Sequence, residues 1–255
     1  MALFSDGPPS TVDDLTSQDS FLLGVASTEG IDVTTKLSLA YTELTVELNA
    51  IFAREASIYA PVLGEAPLDT NHLSVTPTLA AWHSFRALEL VYRDAYFNQL
   101  NDRYKNKWLE FQNLGRWAMG RFIDTGAGLI IDPIPMPATP VVSFQTASQS
   151  GGTVYLSVTF LNSTSQESSP SVTTDSEIPD GNVLMISAPA WPSNVVAWNA
   201  YVGSTPTGLI RQNGAPLVLG QSLQFLLPGA QSGAAPGTGQ VADVTRDIPR
   251  RIMRG

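Results

Sequence analysis

The chain has 255 residues, no cysteine and a net charge of −9. Its length accommodates two modest domains, each with its own core, and a hydrophobic fraction of 43% excludes wholesale disorder. The lack of cysteine excludes a disulfide framework, a thiol nucleophile and a Cys-based zinc site, and fits a reducing compartment or a particle assembled there. The opening MALFSDGPPS lacks the basic and apolar regions of a secretory signal, and no apolar run approaches the ~18 residues of a membrane helix.

The charge is unevenly placed. Through Asp132, 9 Lys and Arg stand against 17 Asp and Glu. From Pro133 to Gln240 only Arg211 opposes Glu167, Asp175, Glu177 and Asp180, while the last fifteen residues carry four arginines against Asp243 and Asp247. An acidic body disfavours tight nucleic-acid binding, which needs clustered Lys and Arg, yet it lets DNA pass close by without sticking.

In chain order, a first helix is expected from Ser10 or Thr11, with Asp13 and Asp14 in the first turn, through Leu15, Phe21 and Leu22 to Gly24. A second opens at Asp32. Its apolar positions Leu37, Ala40, Leu44, Leu48, Ile51 and Phe52 step by three or four and share a face, and it ends before Pro61. Residues 60–75 read as a loop on Pro61, Gly64 and Pro67. Thr76 and Pro77 are the N-cap and first position of a third helix reaching Phe122, with a kink or break in the polar stretch Asn98 to Asn106. Gly126 and Gly128 end it.

The segment DPIPMPATP (Asp132 to Pro140) then divides two unlike halves. Beyond it, TVYLSVTFL (Thr153 to Leu161) alternates, and NVLMISA, VVAWNAYVG and SLQFLL are further strands. The fold expected is multidomain. An all-α helical bundle (1–132) is followed by a Pro-rich linker (133–140) and an all-β immunoglobulin- or fibronectin-like sandwich (141–228). A flexible Gly-rich tether with a basic C-terminal arm (229–255) completes it. Deleting Asp243 to Gly255 is then expected to leave the melting temperature of both domains nearly unchanged yet abolish incorporation into particles.

Candidate chemistry is sparse. His72 and His83 lack any metal-ligand spacing. The carboxylates read as solvated helix faces, and an acid pair for glycoside hydrolysis, which needs two facing acids about 5–10 Å apart, is not visible. TGAGLI lacks the Lys and Ser/Thr of a phosphate loop and reads as a helix stop. Asn162-Ser163-Thr164 reads as a hairpin turn rather than a glycosylation site. No catalytic, cofactor or metal residue is assigned. The aromatics from Trp82 to Trp117 read as core or subunit interface, with Trp108, Phe111 and Trp117 the interface candidates; Trp191 and Trp198 read as sandwich core or edge. The arm interleaves Arg246, Arg250, Arg251 and Arg254 with Ile248, Ile252 and Met253, a combination suited to docking on an acidic, grooved partner.

YRDAYFNQLNDRYKNKWLEFQNLGRWAMGRF followed by TGAGLIIDPIPMPATP resembles the head–tail connector, or adaptor, proteins of tailed bacteriophages, and WNAYVGSTPTGLIRQNGAPLVLGQSLQFLLP resembles fibronectin-like modules of phage structural proteins. The resemblance implies a virion protein of the neck, assembled in the host cytoplasm. It implies a self-assembled ring, usually of twelve subunits, below the portal, through which DNA passes without sequence-specific contact. Its arm would reach the portal, with further neck or tail proteins as neighbours and no membrane or cofactor. Its role would be assembly without a chemical step. The alternative is a tail-tip or fibre module using the β-sandwich to hold a host-surface glycan, which calls for an exposed aromatic cluster around Trp191.

Overall fold

The computed structural model describes residues 2–56, 68–99, 102–227 and 233–248. The chain divides into two compact units. One comprises Phe4–Ile131 and the chain from Ala242 onward; the other is Asp132–Val241 together with the chain start through Leu3. The β-rich unit is therefore an insertion within the helical one, not a module appended after it.

The helices are α1 (Val12–Gln18), α2 (Leu22–Glu29), α3 (Val33–Ala56), α4 (Pro77–Gln99) and α5 (Lys105–Thr125). The strands are β1 (Ala127–Leu129), β2 (Val141–Thr146), β3 (Gly152–Asn162), β4 (Thr174–Ile178), β5 (Asn182–Ser187), β6 (Val195–Gly203), β7 (Ile210–Arg211), β8 (Leu217–Val218), β9 (Ser222–Phe225) and β10 (Val244–Arg246).

Local chemistry explains the helix boundaries. Thr11 caps α1 in a reciprocal capping box with Asp14. The first helix expected from the sequence is two helices, because Asp19 interrupts it. Its carboxylate accepts the Phe21 N–H at 3.0 Å and the Tyr92 hydroxyl at 2.7 Å. Burial, reinforced by that bond to Asp19, holds the Tyr92 phenol above its ordinary pKa. Asp32 caps α3 through the Thr34 N–H and the Thr35 hydroxyl. The long third helix breaks into α4 and α5 at the polar stretch. Residues 60–67 of the loop read at 60–75 lie outside the described residues, and Leu73 near its end bridges Leu129.

Helix α4 is the axis of its unit. Ala87, Leu88, Leu90 and Val91 are all fully buried, so it is covered on several sides, and it packs against each of the other four helices. Phe111, Gly115, Ala118 and Phe122 form the buried face of α5.

The last described residues close this unit. β10 pairs antiparallel with β1, Ala127 opposite Arg246 and Leu129 opposite Val244. Asp243 N–H donates to the Leu129 carbonyl at 2.9 Å, and Ile131 N–H donates to the Asp243 carboxylate at 2.8 Å. A Cβ on Gly126, where φ is +80°, would lie 2.7 Å from the Arg246 carbonyl oxygen. That glycine therefore makes room for the returning strand as well as ending α5.

In the β unit, one sheet has the order β2-β5-β9 and the other β4-β3-β6-β7, with β8 also on β6. Val154, Leu156, Val158 and Phe160 of β3 meet Leu184, Ile186 and the fully buried Trp198 in one core. On the opposite face of β3, Ser157 and Thr159 are buried too. The chain from Gln166 to Ser171 covers them. Ser171 and Ser168 accept the Val158 and Phe160 N–H groups, and the Thr159, Asn199 and Tyr201 side chains all donate to Glu167. This polar layer is satisfied from within, as a buried network must be.

The expected linker also belongs to this unit. Ile134 is only 1% exposed in the β core, and its N–H donates to the Gln240 side chain at 2.6 Å. Gln240 in turn donates to the Asp132 carbonyl and to Gln166. The tether expected to be flexible is likewise placed where it is described, with Arg211 N–H donating to the Ala234 carbonyl at 2.9 Å. Consequently a fragment Asp132–Val241 is expected to fold alone with a cooperative β-type melt. A shorter fragment, Val141–Pro228, loses Ile134 and the Gln240 bonds and should be less stable by about 2–4 kcal/mol. Equal denaturant midpoints for the two fragments would refute this packing.

Candidate interaction surface

The residues singled out in the sequence separate into distinct environments. Arg246 lies in β10, half-buried, and Ile248 is 6% exposed within the helical core. Neither belongs to a free arm, which corrects the expectation for both. Arg250, Arg251, Ile252, Met253 and Arg254 lie outside the described residues.

Of the aromatic interface candidates, Phe111 is core. It is 3% exposed, between Tyr92 at 5.5 Å and Phe85 at 6.5 Å. It therefore offers nothing to a neighbour, and its candidacy is corrected. Trp108 is half-buried against Tyr96 and Phe97, both centroids at 5.7 Å. Trp117 is 55% exposed, with the Arg121 guanidinium over its ring at 6.0 Å. Leu109 is exposed on the same helix two turns earlier, and Leu39 and Val46 are exposed seven residues apart on α3. Each of these two helices thus carries a short apolar stripe in water.

Between α3 and α5, over α4, runs a groove of about 460 Å³. Its floor is Trp82, Arg86 and Glu89 of α4. Glu43, Val46 and Glu47 of α3 form one wall, and Gln112, Gly115, Arg116 and Met119 of α5 form the other. Arg86 Nε donates to Glu43 at 2.5 Å and Nη1 to Glu89 at 2.6 Å. Burial alone would depress the guanidinium pKa, but these two bonds outweigh it and raise the value. Glu89 also accepts from Gln112, so the floor of the groove is a fixed polar strip. No local sequence pattern marks this groove, since its residues come from three helices. The helix-interior glycine of QNLGRW, next to Arg116 and three residues after Gln112, is the available signal.

Each histidine is held by hydrogen-bond partners. His72 Nδ1 lies 2.9 Å from Asp69, whose carboxylate also takes the Asn71 and His72 N–H groups. His83 is fully buried, with Nδ1 2.6 Å from the Ser10 hydroxyl and Nε2 3.1 Å from the Leu37 carbonyl. A serine against an imidazole has the outline of a nucleophile and its base. Here Ser10 is itself only 4% exposed, so no substrate reaches it, and burial lowers the His83 pKa to about 4. The pair pins the segment before α1 onto α3 and α4.

In the β unit Trp191 is 42% exposed, whereas Trp198 is core. The strand β2 is exposed along all six residues, Val142 and Phe144 included. Among the described residues, no group of three or more His, Asp or Glu side chains is placed to hold a metal ion, and no helix is long and apolar enough to cross a membrane. No protein-family model matches the chain, and no curated protein matches it.

Proposed function

We propose that the protein is a structural subunit of a tailed-phage neck. In this reading the helical unit packs side by side in a ring that joins head to tail and extends the DNA channel below the portal. The observation that carries it is the pair of unlike exposed apolar stripes, Leu39 with Val46 on α3 and Leu109 with Trp117 on α5. A ring built by a head-to-tail contact needs two different surfaces on one subunit, each self-sufficient in the free fold. The resemblance to connector proteins supports the biological setting. The acidic helical unit suits a channel that DNA must traverse without binding. The inserted β unit is read as an immunoglobulin- or fibronectin-like module facing a capsid, tail or fibre neighbour.

Negative-stain electron microscopy and light scattering of the purified chain test the proposal. Closed rings, in the range of twelve subunits, are expected. Trp117→Ala removes an exposed ring and should leave the melting temperature within about 2–3 °C while abolishing ring formation. A chain that stays monomeric at tens of micromolar, alone and with the neck's other proteins, would remove the basis for this function.

A further inference from the structure

We propose that the segment Pro249 to Gly255 of one subunit lies in the α3–α4–α5 groove of the next. The inference rests on the ring reading above and names the contact that propagates it.

The groove is a built feature of the fold. Gly115 sits in the interior of α5, where glycine costs about 1 kcal/mol relative to alanine. No backbone conformation requires it there, and a Cβ at this position would meet only the Phe85 Cβ, at 4.0 Å. The missing side chain therefore leaves space in the wall. Val46, at 66% exposure, and the half-buried Met119 offer apolar surface on the two sides. Glu47 is exposed one turn from Glu43, and it forms no ion pair with any described residue. Three carboxylates against Arg86 and Arg116 leave the lining with a net negative charge.

The proposed occupant has the complementary sequence, PRRIMRG, with Arg250, Arg251 and Arg254 around Ile252 and Met253. Arginine pairs bidentately with carboxylates, and the two apolar side chains match Val46, Met119 and the width left at Gly115. Length agrees as well. Ile248 is fixed in the helical core, and residues 249–255 beyond it span at most about 23–25 Å when extended. The α5 wall from Gln112 to Met119 is about 10 Å long. The segment can cross to a neighbour and still run the groove's length. Such a contact joins unlike surfaces, so it propagates head to tail, as the ring reading requires.

The test uses the chain ended after Ile248 and a fluorescently labelled peptide of residues 249–255. Saturable binding by anisotropy is expected, weakened at least tenfold by Glu47→Lys and, independently, by Gly115→Leu, and absent for a scrambled peptide. Gly115→Ala should bind near normally and raise thermal stability, which separates a filled groove from a damaged helix. The chain ended at Ile248 should lose ring formation, and the peptide should inhibit assembly of the full chain. Failure of the peptide to bind, or binding unaffected by both groove variants, overturns the groove assignment even if rings form. Rings of unchanged size from the shortened chain overturn it as the assembly contact while leaving the ring reading intact. A full chain that stays monomeric although the peptide binds the shortened chain places the segment in its own groove, and then the intermolecular contact and the ring reading fail together.

Discussion

Removing Ala242 to Gly255 is expected to lower the melting temperature of the helical unit by about 10–20 °C or to unfold it, whereas removing the entire β unit should leave that temperature almost unchanged. Both results follow from the insertion. β10 supplies the pairing partner of β1, and Ile248 is a core residue of the helical unit. Losing a buried isoleucine alone costs about 2–5 kcal/mol, and withdrawing the strand also uncovers Ala127 and Leu129, which are now 0% and 1% exposed. Against a total domain stability of about 5–15 kcal/mol, this is a large fraction. By contrast, the two points where the β unit leaves and returns are neighbours in space, since Ile131 and Asp243 are joined by a 2.8 Å hydrogen bond. Replacing Asp132 to Val241 by a turn of about 4–6 residues closes a hairpin on the existing β1–β10 ladder. The excised protein should give a helical circular dichroism spectrum and a cooperative melt. Ile248→Ala in the full chain should reproduce part of the loss. A molten excised chain, or an unaffected truncation, would contradict the insertion. The expectation that the region from Asp243 can be deleted without cost does not survive this pairing; only residues beyond Ile248 are available for docking without dismantling the fold.

What the sequence discloses and what it hides divide along physical lines. Local signals are explicit. Thr11, Asp32 and the Thr76-Pro77 pair mark helix starts because their side chains or ring geometry act on the adjacent backbone. The alternation of β3 is visible because Val154, Leu156, Val158 and Phe160 face a single core. The β1–β10 pairing is not visible, since three-residue strands carry no periodicity and their partners stand more than a hundred residues apart. Its one trace, the glycines of TGAG, was equally well explained by a helix stop. The aromatics of α5 mislead for a geometric reason. A spacing of three drifts by about 60° per step, so the series Trp108, Phe111, Leu114, Trp117 walks across the helix from core to solvent. The buried face follows Phe111, Gly115, Ala118 and Phe122 instead. Proline-rich residues 133–140 read as a linker because proline cannot continue a helix, but an extended segment can equally lie along a core, and Ile134 does. The groove was illegible for the same reason as the Ser10–His83 pair. Each unites residues whose neighbourhood is created only by packing.

Acidification should weaken the helical unit through His83 between pH 6.5 and about 4, a window that opens well above the range in which most carboxylates protonate. The Leu37 carbonyl can only accept, so Nε2 carries the proton and Nδ1 takes the Ser10 hydroxyl hydrogen. In this neutral form both ring nitrogens are satisfied. Protonation would put a second N–H against the Ser10 oxygen and a charge in a site with no exposure, which is why burial lowers the pKa to about 4 from the ordinary 6.5. The sign follows from linkage. Between those two values the unfolded chain binds a proton that the native chain does not, so stability rises with pH across the window and is lost as pH falls through it. The loss approaches about 3 kcal/mol at pH 4. His83→Gln keeps a donor for the Leu37 carbonyl and an acceptor for Ser10 but cannot titrate. It should cost about 1–3 kcal/mol at pH 7.5 through imperfect fit. The gap between wild type and variant, measured by urea unfolding, should then close or reverse as the pH approaches 4. Ser10→Ala should lower stability by a similar amount while retaining the full pH slope, because the titrating ring stays buried. A wild-type-minus-variant difference that is flat from pH 7.5 to pH 4 would mean that His83 reaches solvent, and the pinning of the first segment onto α3 and α4 would be wrong with it.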